Sequence, residues 1–211
     1  MTPVDPNTFF ESQLWDSGLT YVAGLDEAGR GALAGPVAVG AVILPDDRPL
    51  LSQTLVGVRD SKQMTPFERE SLAPRIVEVA LTSNVGFASA EEIDSLGIVP
   101  ATRLAALRAL QGLSVIPHYL LTDFRLELPQ LDISQTAFVK GDALCLSIAA
   151  ASILAKTSRD RLMCELDQCY LGYGLGKHKG YGTPFHRLAM KRLGTSPIHR
   201  KTFQLKETRI A

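Results

Sequence analysis

The sequence predicts an α/β domain built on a mixed sheet, and three observations carry that prediction. Three short apolar runs come early in the chain, later apolar runs alternate with segments of helical composition, and 211 residues at 45% hydrophobic are enough for one well-buried core. No repeat, low-complexity stretch or long linker divides the chain. It therefore reads as a single domain over residues 1–211, with a basic helical C-terminal extension from about residue 170.

The first run, Tyr21–Leu25 (YVAGL), reads as a buried strand and leads into the glycine-rich stretch EAGRGALAGP. The second, Val37–Leu44 (VAVGAVIL), is stopped by Pro45. Thr65-Pro66-Phe67-Glu68 forms a capping box with proline at the first helical position, which predicts a helix from about Pro66 to Ala80. Asn84–Ala88 is a third strand. Ser89 with Glu92 is a second capping box, and the Ala/Leu-rich Ala101–Leu110 predicts a helix ended by Gly112. His118–Thr122 and Thr136–Val139 read as strands. Leu144–Met163 reads as a helix whose Ala149, Ala150, Ala151 and Ser152 permit close approach to the sheet. Thr183-Pro184 opens a last helix, closed by Gly194.

Apolar runs fall short of the roughly 18 residues of a membrane span, and the N-terminal segment lacks the basic-then-apolar pattern of a signal peptide. No membrane partner is expected, and a cytoplasmic, monomeric protein is. Cys145, Cys164 and Cys169 make an odd count with no C-x-x-C pair, so reduced core thiols are expected.

Zero formal net charge conceals an asymmetry. From Lys177 to Ala211, nine basic residues face the single acid Glu207, a net of +8, so the remainder of the chain is acidic. With His178, His186 and His199 interspersed, that segment has a footprint suited to phosphates, or else it is a solvated helix face.

Three predicted strands run into aspartates: Asp26 with Glu27 beside it, Asp123, and Asp142 within three residues. Strand ends of an α/β sheet open to solvent, so these groups could share one edge. Carboxylates packed together repel unless a cation compensates, and an all-oxygen set without Cys or His suits Mg²⁺ or Mn²⁺. The plain alternative is a helix N-cap for Asp142 and turn positions for Asp123 and Glu27. Alternation along a strand also sends Asp26 and Glu27 to opposite faces. Gly29-Arg30-Gly31 follows, a stretch whose backbone can approach a ligand closely.

The segments GLDEAGRGALAGPV (Gly24–Val37), DSK (Asp60–Lys62), KGD (Lys140–Asp142), SIAAASILAKTSRD (Ser147–Asp160), HKGYGT (His178–Thr183) and PIHRKTF (Pro197–Phe203) resemble, in order, the signature segments of ribonuclease HII, the type 2 ribonuclease H. That resemblance implies an RNase H-like fold: a five-stranded mixed sheet flanked by helices, with a C-terminal helical extension. It implies an endonuclease cutting the RNA strand of RNA–DNA hybrids and cutting 5′ to ribonucleotides embedded in duplex DNA, leaving 3′-hydroxyl and 5′-phosphate ends. Carried over by position, Asp26, Glu27, Asp123 and Asp142 would be the catalytic and metal-binding acids. Gly29, Arg30 and Gly31 would read the 2′-hydroxyl, with Tyr181 against the sugar at the RNA-to-DNA junction. Two divalent ions would activate the attacking water and stabilise the leaving 3′-oxygen.

Lys62, Lys140, Lys179 and Arg192 are candidate phosphate contacts. Asp160, four residues after Lys156 on a predicted helix, is expected in an intrahelical ion pair. One departure stands out. The family has Asp-Gly after the third strand-end aspartate, whereas here Asp123 is followed by Phe124-Arg125, which leaves Asp132 as a possible substitute. The tail LKETRIA shows no docking motif.

Overall fold

In the computed structural model, which describes residues 5–123 and 126–203, five strands form one mixed sheet in the order β3-β2-β1-β4-β5. They are β1 (Val22–Ala28), β2 (Val37–Ile43), β3 (Thr82–Ala88), β4 (Tyr119–Asp123) and β5 (Ser134–Phe138). β2 pairs antiparallel with β1 and β3, while β4 runs parallel to β1 and β5 to β4. Short turns can join antiparallel strands, whereas a parallel neighbour requires a crossover. Here β2 and β3 are nevertheless joined through two helices, Arg48–Thr54 and Pro66–Val79, and β1 reaches its parallel neighbour β4 only after β2, β3 and the helices Ala90–Leu96 and Ile98–Gln111.

Each face is buried because strand residues alternate between two apolar layers. On one face, Val22, Val42 and Leu121 pack with Ile148 and Ile153 of α6 (Leu146–Cys169). On the other, Ala23, Leu25, Val39, Ala41 and Ile43 pack with Ala101, Ala105 and Ala109 of α5 (Ile98–Gln111). The predicted close approach of α6 is present: a Cβ on Gly24 would lie 2.2 Å from the Ser147 carbonyl carbon, and one on Gly40 would lie 2.3 Å from the Ala151 carbonyl oxygen.

The remaining helices are α1 (Phe9–Asp16), α2 (Arg48–Thr54), α3 (Pro66–Val79), α4 (Ala90–Leu96), α7 (Leu175–His178) and α8 (Pro184–Leu193). Both predicted capping boxes form, at Thr65/Glu68 and Ser89/Glu92. Each cap is worth about 1 kcal/mol to its helix. Two expectations need correction. β1 does not stop at Leu25 but continues through Asp26 and Glu27 to Ala28, because that stretch still pairs with Gly40, Val39 and Ala38 of β2. Of the three free thiols only Cys145 is in the core, while Cys164 and Cys169 are exposed near the end of α6, where the helix outruns the sheet.

Beyond α6 the chain packs a smaller apolar cluster, Ala34, Met163, Tyr173, Leu175 and Ala189. It then returns to the sheet. Gly35 N–H donates to the Ile198 carbonyl (2.8 Å) and Arg200 N–H to the Leu33 carbonyl (2.9 Å), so residues 198–200 lie along the stretch that follows β1. Among the described residues no helix is long and apolar enough to cross a membrane. Residues 204–211, with Lys206, Glu207 and Arg209, lie outside the described residues.

Candidate active site

Two strands, β1 and β4, deliver carboxylates to one rim, and the turn after β5 brings a further one beside it. Pairing of β1 with β4 ends at Leu25 opposite Thr122, so beyond it β1 has β2 alone as neighbour and its other edge is open. There a carboxylate oxygen from each of Asp26, Glu27 and Asp123 comes within 4.8 Å of the other two. The open edge is what lets Glu27, on the opposite face by alternation, join Asp26. Asp123 is fixed by the backbone after β5: its Oδ1 accepts from Gly141 N–H at 2.7 Å. That bond ties the end of β4 to the 3₁₀ turn Gly141–Ala143, which carries Asp142.

Asp142 stands beside the trio rather than in it. Its Oδ2 accepts from Lys62 Nζ at 3.3 Å, and the two line one groove of about 770 Å³ together with Glu27, Asp123, Arg30, Gly31 and Lys140. Asp142 is not the N-cap of α6, since that place is taken by Cys145. Lys62 is held by its turn: Ser61 hydroxyl accepts from Ser152 Oγ at 2.6 Å, and the Ser61 carbonyl accepts from Arg69 Nη1 at 2.9 Å.

Burial, then the charges of Glu27, Asp123 and Asp142, push the Asp26 carboxyl well above its ordinary pKa, against the pull of Lys62. Burial also raises Glu27 and Asp142, opposed by Arg30 and Lys62 respectively. On Lys62 burial disfavours the charge, but Asp26, Asp142 and Asp60 outweigh it and hold the ammonium above the usual lysine value. Asp26 Oδ2 and Glu27 Oε2 are buried without a hydrogen-bond partner among the described residues. An unpaired buried carboxylate oxygen is costly, and a hard divalent cation satisfies it. The donor set fits such an ion. Asp132, the alternative to Asp123, is exposed and outside the cluster.

The glycines after β1 differ in why they are glycine. Gly29 has φ +89°, and a Cβ there would lie 1.9 Å from Arg159 Nε, so the fold itself demands it. Gly31 has no such φ, and a Cβ there would meet nothing within 4 Å. Tyr181 is close by along the backbone: the carbonyl of the preceding Gly180 accepts from Leu33 N–H at 2.8 Å. Its ring is 37% exposed and lies 5.5 Å from the Arg159 guanidinium and 5.6 Å from Lys156 Nζ. It opens on a second groove, of about 490 Å³, lined also by Arg69, Lys156, Lys177 and Lys179.

Other expected contacts are placed differently. Lys179 folds its ammonium onto the Gly176 carbonyl and Cys164 Sγ, and Arg192 stands exposed on the last turn of α8, lining neither groove. Lys140 lines the acidic groove. Of the three histidines only His178 lines a groove, the second one. His178 and His186 stack at 4.3 Å, and His186 and His199 are buried, with burial pushing His186 down to about 4 and hence neutral. Asp160 makes its expected pair with Lys156 at 2.7 Å. Ser147, buried, donates to Glu11 Oε1 at 2.6 Å in the core, away from the carboxylate rim. Sequence reading missed Arg159 and Arg200, both buried against backbone carbonyls of residues 29–36. Arg159 stands in the polar run 156–161 of α6, so nothing local marks it as buried.

The family model for ribonuclease HII matches residues 23–206. A ribonuclease HII of Dehalococcoides mccartyi is 54% identical over 194 residues, covering 92% of this chain and 90% of the relative. Among solved structures, the ribonuclease H2 of Pyrococcus horikoshii superposes with TM-score 0.70 at 29% identity, over 87% of this chain and 93% of that one. The RNase HII in a PCNA complex from Archaeoglobus fulgidus superposes with TM-score 0.73 at 26% identity, over 90% and 98%. At that depth of sequence and fold agreement the chain belongs to the ribonuclease HII family, the type 2 ribonucleases H, and is a divalent-metal-dependent enzyme.

Proposed function

We propose that this ribonuclease H cuts the RNA strand of hybrids and incises duplex DNA 5′ to embedded ribonucleotides, with two divalent ions held by Asp26, Glu27, Asp123 and Asp142. The observation that carries the reading is the trio Asp26, Glu27 and Asp123, each with a carboxylate oxygen within 4.8 Å of the other two, in which Asp26 and Glu27 each also keep a buried oxygen without a hydrogen-bond partner among the described residues. Mg²⁺ or Mn²⁺, when bound, supplies a water of lowered pKa as nucleophile and neutralises charge at the leaving 3′-oxygen, giving 3′-hydroxyl and 5′-phosphate ends.

The chain's own residues do the rest. Asp26, nearly fully buried, anchors the cluster, while Asp123, pinned to Gly141, and Asp142, on the same turn, fix its far side. Lys62 and Lys140 project cations into the acidic groove and meet the phosphates flanking the cut. Lys140 and Lys179 are the two non-glycine residues with positive φ among the described residues, at 58° and 53°. Strained backbone of this kind concentrates where side chains must be aimed. Lys179 reaches a phosphate by leaving Gly176, and Arg192 contributes a more distant contact. Gly31 keeps clear the space that a sugar edge needs, so that Gly29–Gly31 backbone groups meet the 2′-hydroxyl, and the Tyr181 ring packs against the neighbouring deoxyribose. We propose in addition that it acts as a cytoplasmic monomer whose incision opens the removal of misincorporated ribonucleotides.

The test is cleavage of one labelled duplex carrying a lone ribonucleotide. Incision is expected with Mg²⁺ or Mn²⁺, none in EDTA, and none above background for Asp26→Asn, which keeps duplex binding. Turnover by Asp26→Asn, or cutting in EDTA, overturns the proposal.

A further inference from the structure

Two arginines are buried with no carboxylate in ion-pair contact. Arg159 is 0% exposed and Arg200 is 3% exposed, and burial lowers the pKa of both. Burying a guanidinium is costly unless its donors are satisfied, and here backbone carbonyls do it. Arg200 donates through Nη2 to Gly29 (2.8 Å), through Nη1 to Arg30 (2.7 Å) and through Nε to Gly35 (3.0 Å). Arg159 donates through Nε to Pro36 (2.8 Å), through Nη2 to Ala34 (3.2 Å) and through Nη1 to Lys179 (3.0 Å).

The consequence lies on the other side of each peptide. A peptide unit is planar and trans, so its C=O and N–H point in opposite directions. Turning the carbonyls of Gly29 and Arg30 inward onto Arg200 turns the amides of Arg30 and Gly31 outward. Arg30 and Gly31 line the acidic groove, and no hydrogen bond within the described residues takes up either amide. A cation at the carbonyl end also polarises the unit and strengthens its N–H as a donor. A brace serving stability alone would not need its two shortest bonds on the two carbonyls whose amides are left for a ligand. Arg159 completes the arrangement, since it lies 5.5 Å from the Tyr181 ring while fixing the carbonyl two residues before it.

We infer that Arg200 is a specificity-determining positioning residue: it aims the Arg30 and Gly31 amides at the ribose 2′-hydroxyl, while Arg159 keeps Tyr181 in register with them. The inference rests on the proposed sugar-reading role of Gly29–Gly31.

The experiment measures, by fluorescence anisotropy in Ca²⁺ in place of the catalytic ion, the affinity for a duplex with one ribonucleotide and for the same duplex in all-DNA form. The ratio of the two is unaffected by the fraction of protein folded, so a merely structural role leaves it unmoved. Arg200→Lys keeps a cation but offers one nitrogen to three carbonyls. It is expected to lose about tenfold of the preference for the ribonucleotide, as for two weakened hydrogen bonds, with all-DNA affinity unchanged. On the cleavable substrate its KM should rise by a similar factor while kcat changes much less.

An unchanged ratio in a natively melting Arg200→Lys overturns the inference. If that variant does not fold, Arg200→Gln, which offers two N–H donors on one nitrogen and no charge, carries the same test with the same two outcomes. Gly31→Ala separates the two levels of the argument. If it lowers the ratio while Arg200→Lys does not, only the role of Arg200 falls. A wild type without preference, or a Gly31→Ala that retains it, overturns the sugar-reading role and the inference with it.

Discussion

Asp26 bears a charge that its surroundings oppose, since it is 1% exposed and three other acids face it. Its folded pKa is raised, so between the ordinary aspartate value and that raised one the folded chain binds more protons than the unfolded chain. Stability of the metal-free protein therefore falls as pH rises through that window. Asp26→Asn removes the penalty and should raise the melting temperature of metal-free protein at pH 8 by a few degrees, with a smaller gain at pH 5. Adding Mn²⁺ should raise the melting point of the wild type and leave the variant nearly unmoved. Calorimetry at both pH values with and without the ion checks this, and a lower melting point for metal-free Asp26→Asn contradicts it. The same residue explains why the site was legible only in part. Asp26, Glu27 and Asp142 stand out as acids after apolar runs, but that Glu27 joins Asp26 depends on where β1 loses its β4 neighbour, which no local pattern records.

At the scale of elements, α6 and the sheet are fitted backbone to backbone. A Cβ on Gly40 would lie 2.3 Å from the Ala151 carbonyl oxygen, which cannot rotate away. Gly40→Ala should cost about 1–3 kcal/mol as α6 is pushed off, read as a lower denaturant midpoint at unchanged slope. An unchanged midpoint would mean that the helix shifts freely. Elements with strong local signals were readable in advance: α3 and α4 by their capping boxes, α5 by its alanine and leucine content, α8 by Thr183-Pro184 and Gly194. The short α1 has no side-chain cap and α2 spans 7 residues, too few turns to show a period. Arg200 was hidden for another reason. Composition counts it among the basic tail, whereas the fold turns it inward.

For the whole molecule, closure of the C-terminal region depends on neutral histidines. His199 Nδ1 accepts from Ser196 N–H at 3.0 Å, so its Nε2 carries the proton and donates to His186 Nε2 at 3.1 Å. His186 Nδ1–H then donates to the Tyr181 carbonyl at 3.0 Å. A further proton on either ring removes an acceptor. Both folded pKa values are lowered by burial, that of His186 to about 4, so stability is lost as pH falls from the free-histidine value towards it. From pH 7 to pH 5 the wild type should lose several degrees of melting temperature relative to His186→Gln, since the acids of the rim contribute equally to both, as scanning fluorimetry would reveal; equal changes contradict the assignment. Chain order gives the brace at residues 198–200 a temporal meaning. The last of the four carboxylates has been translated by Asp142, yet the guanidinium that holds the Gly29 and Arg30 carbonyls arrives 58 residues later. A chain clipped ahead of Pro197 would keep its acids and lose the Arg200 brace, so on the proposed roles the groups for cutting are synthesised before the group for choosing.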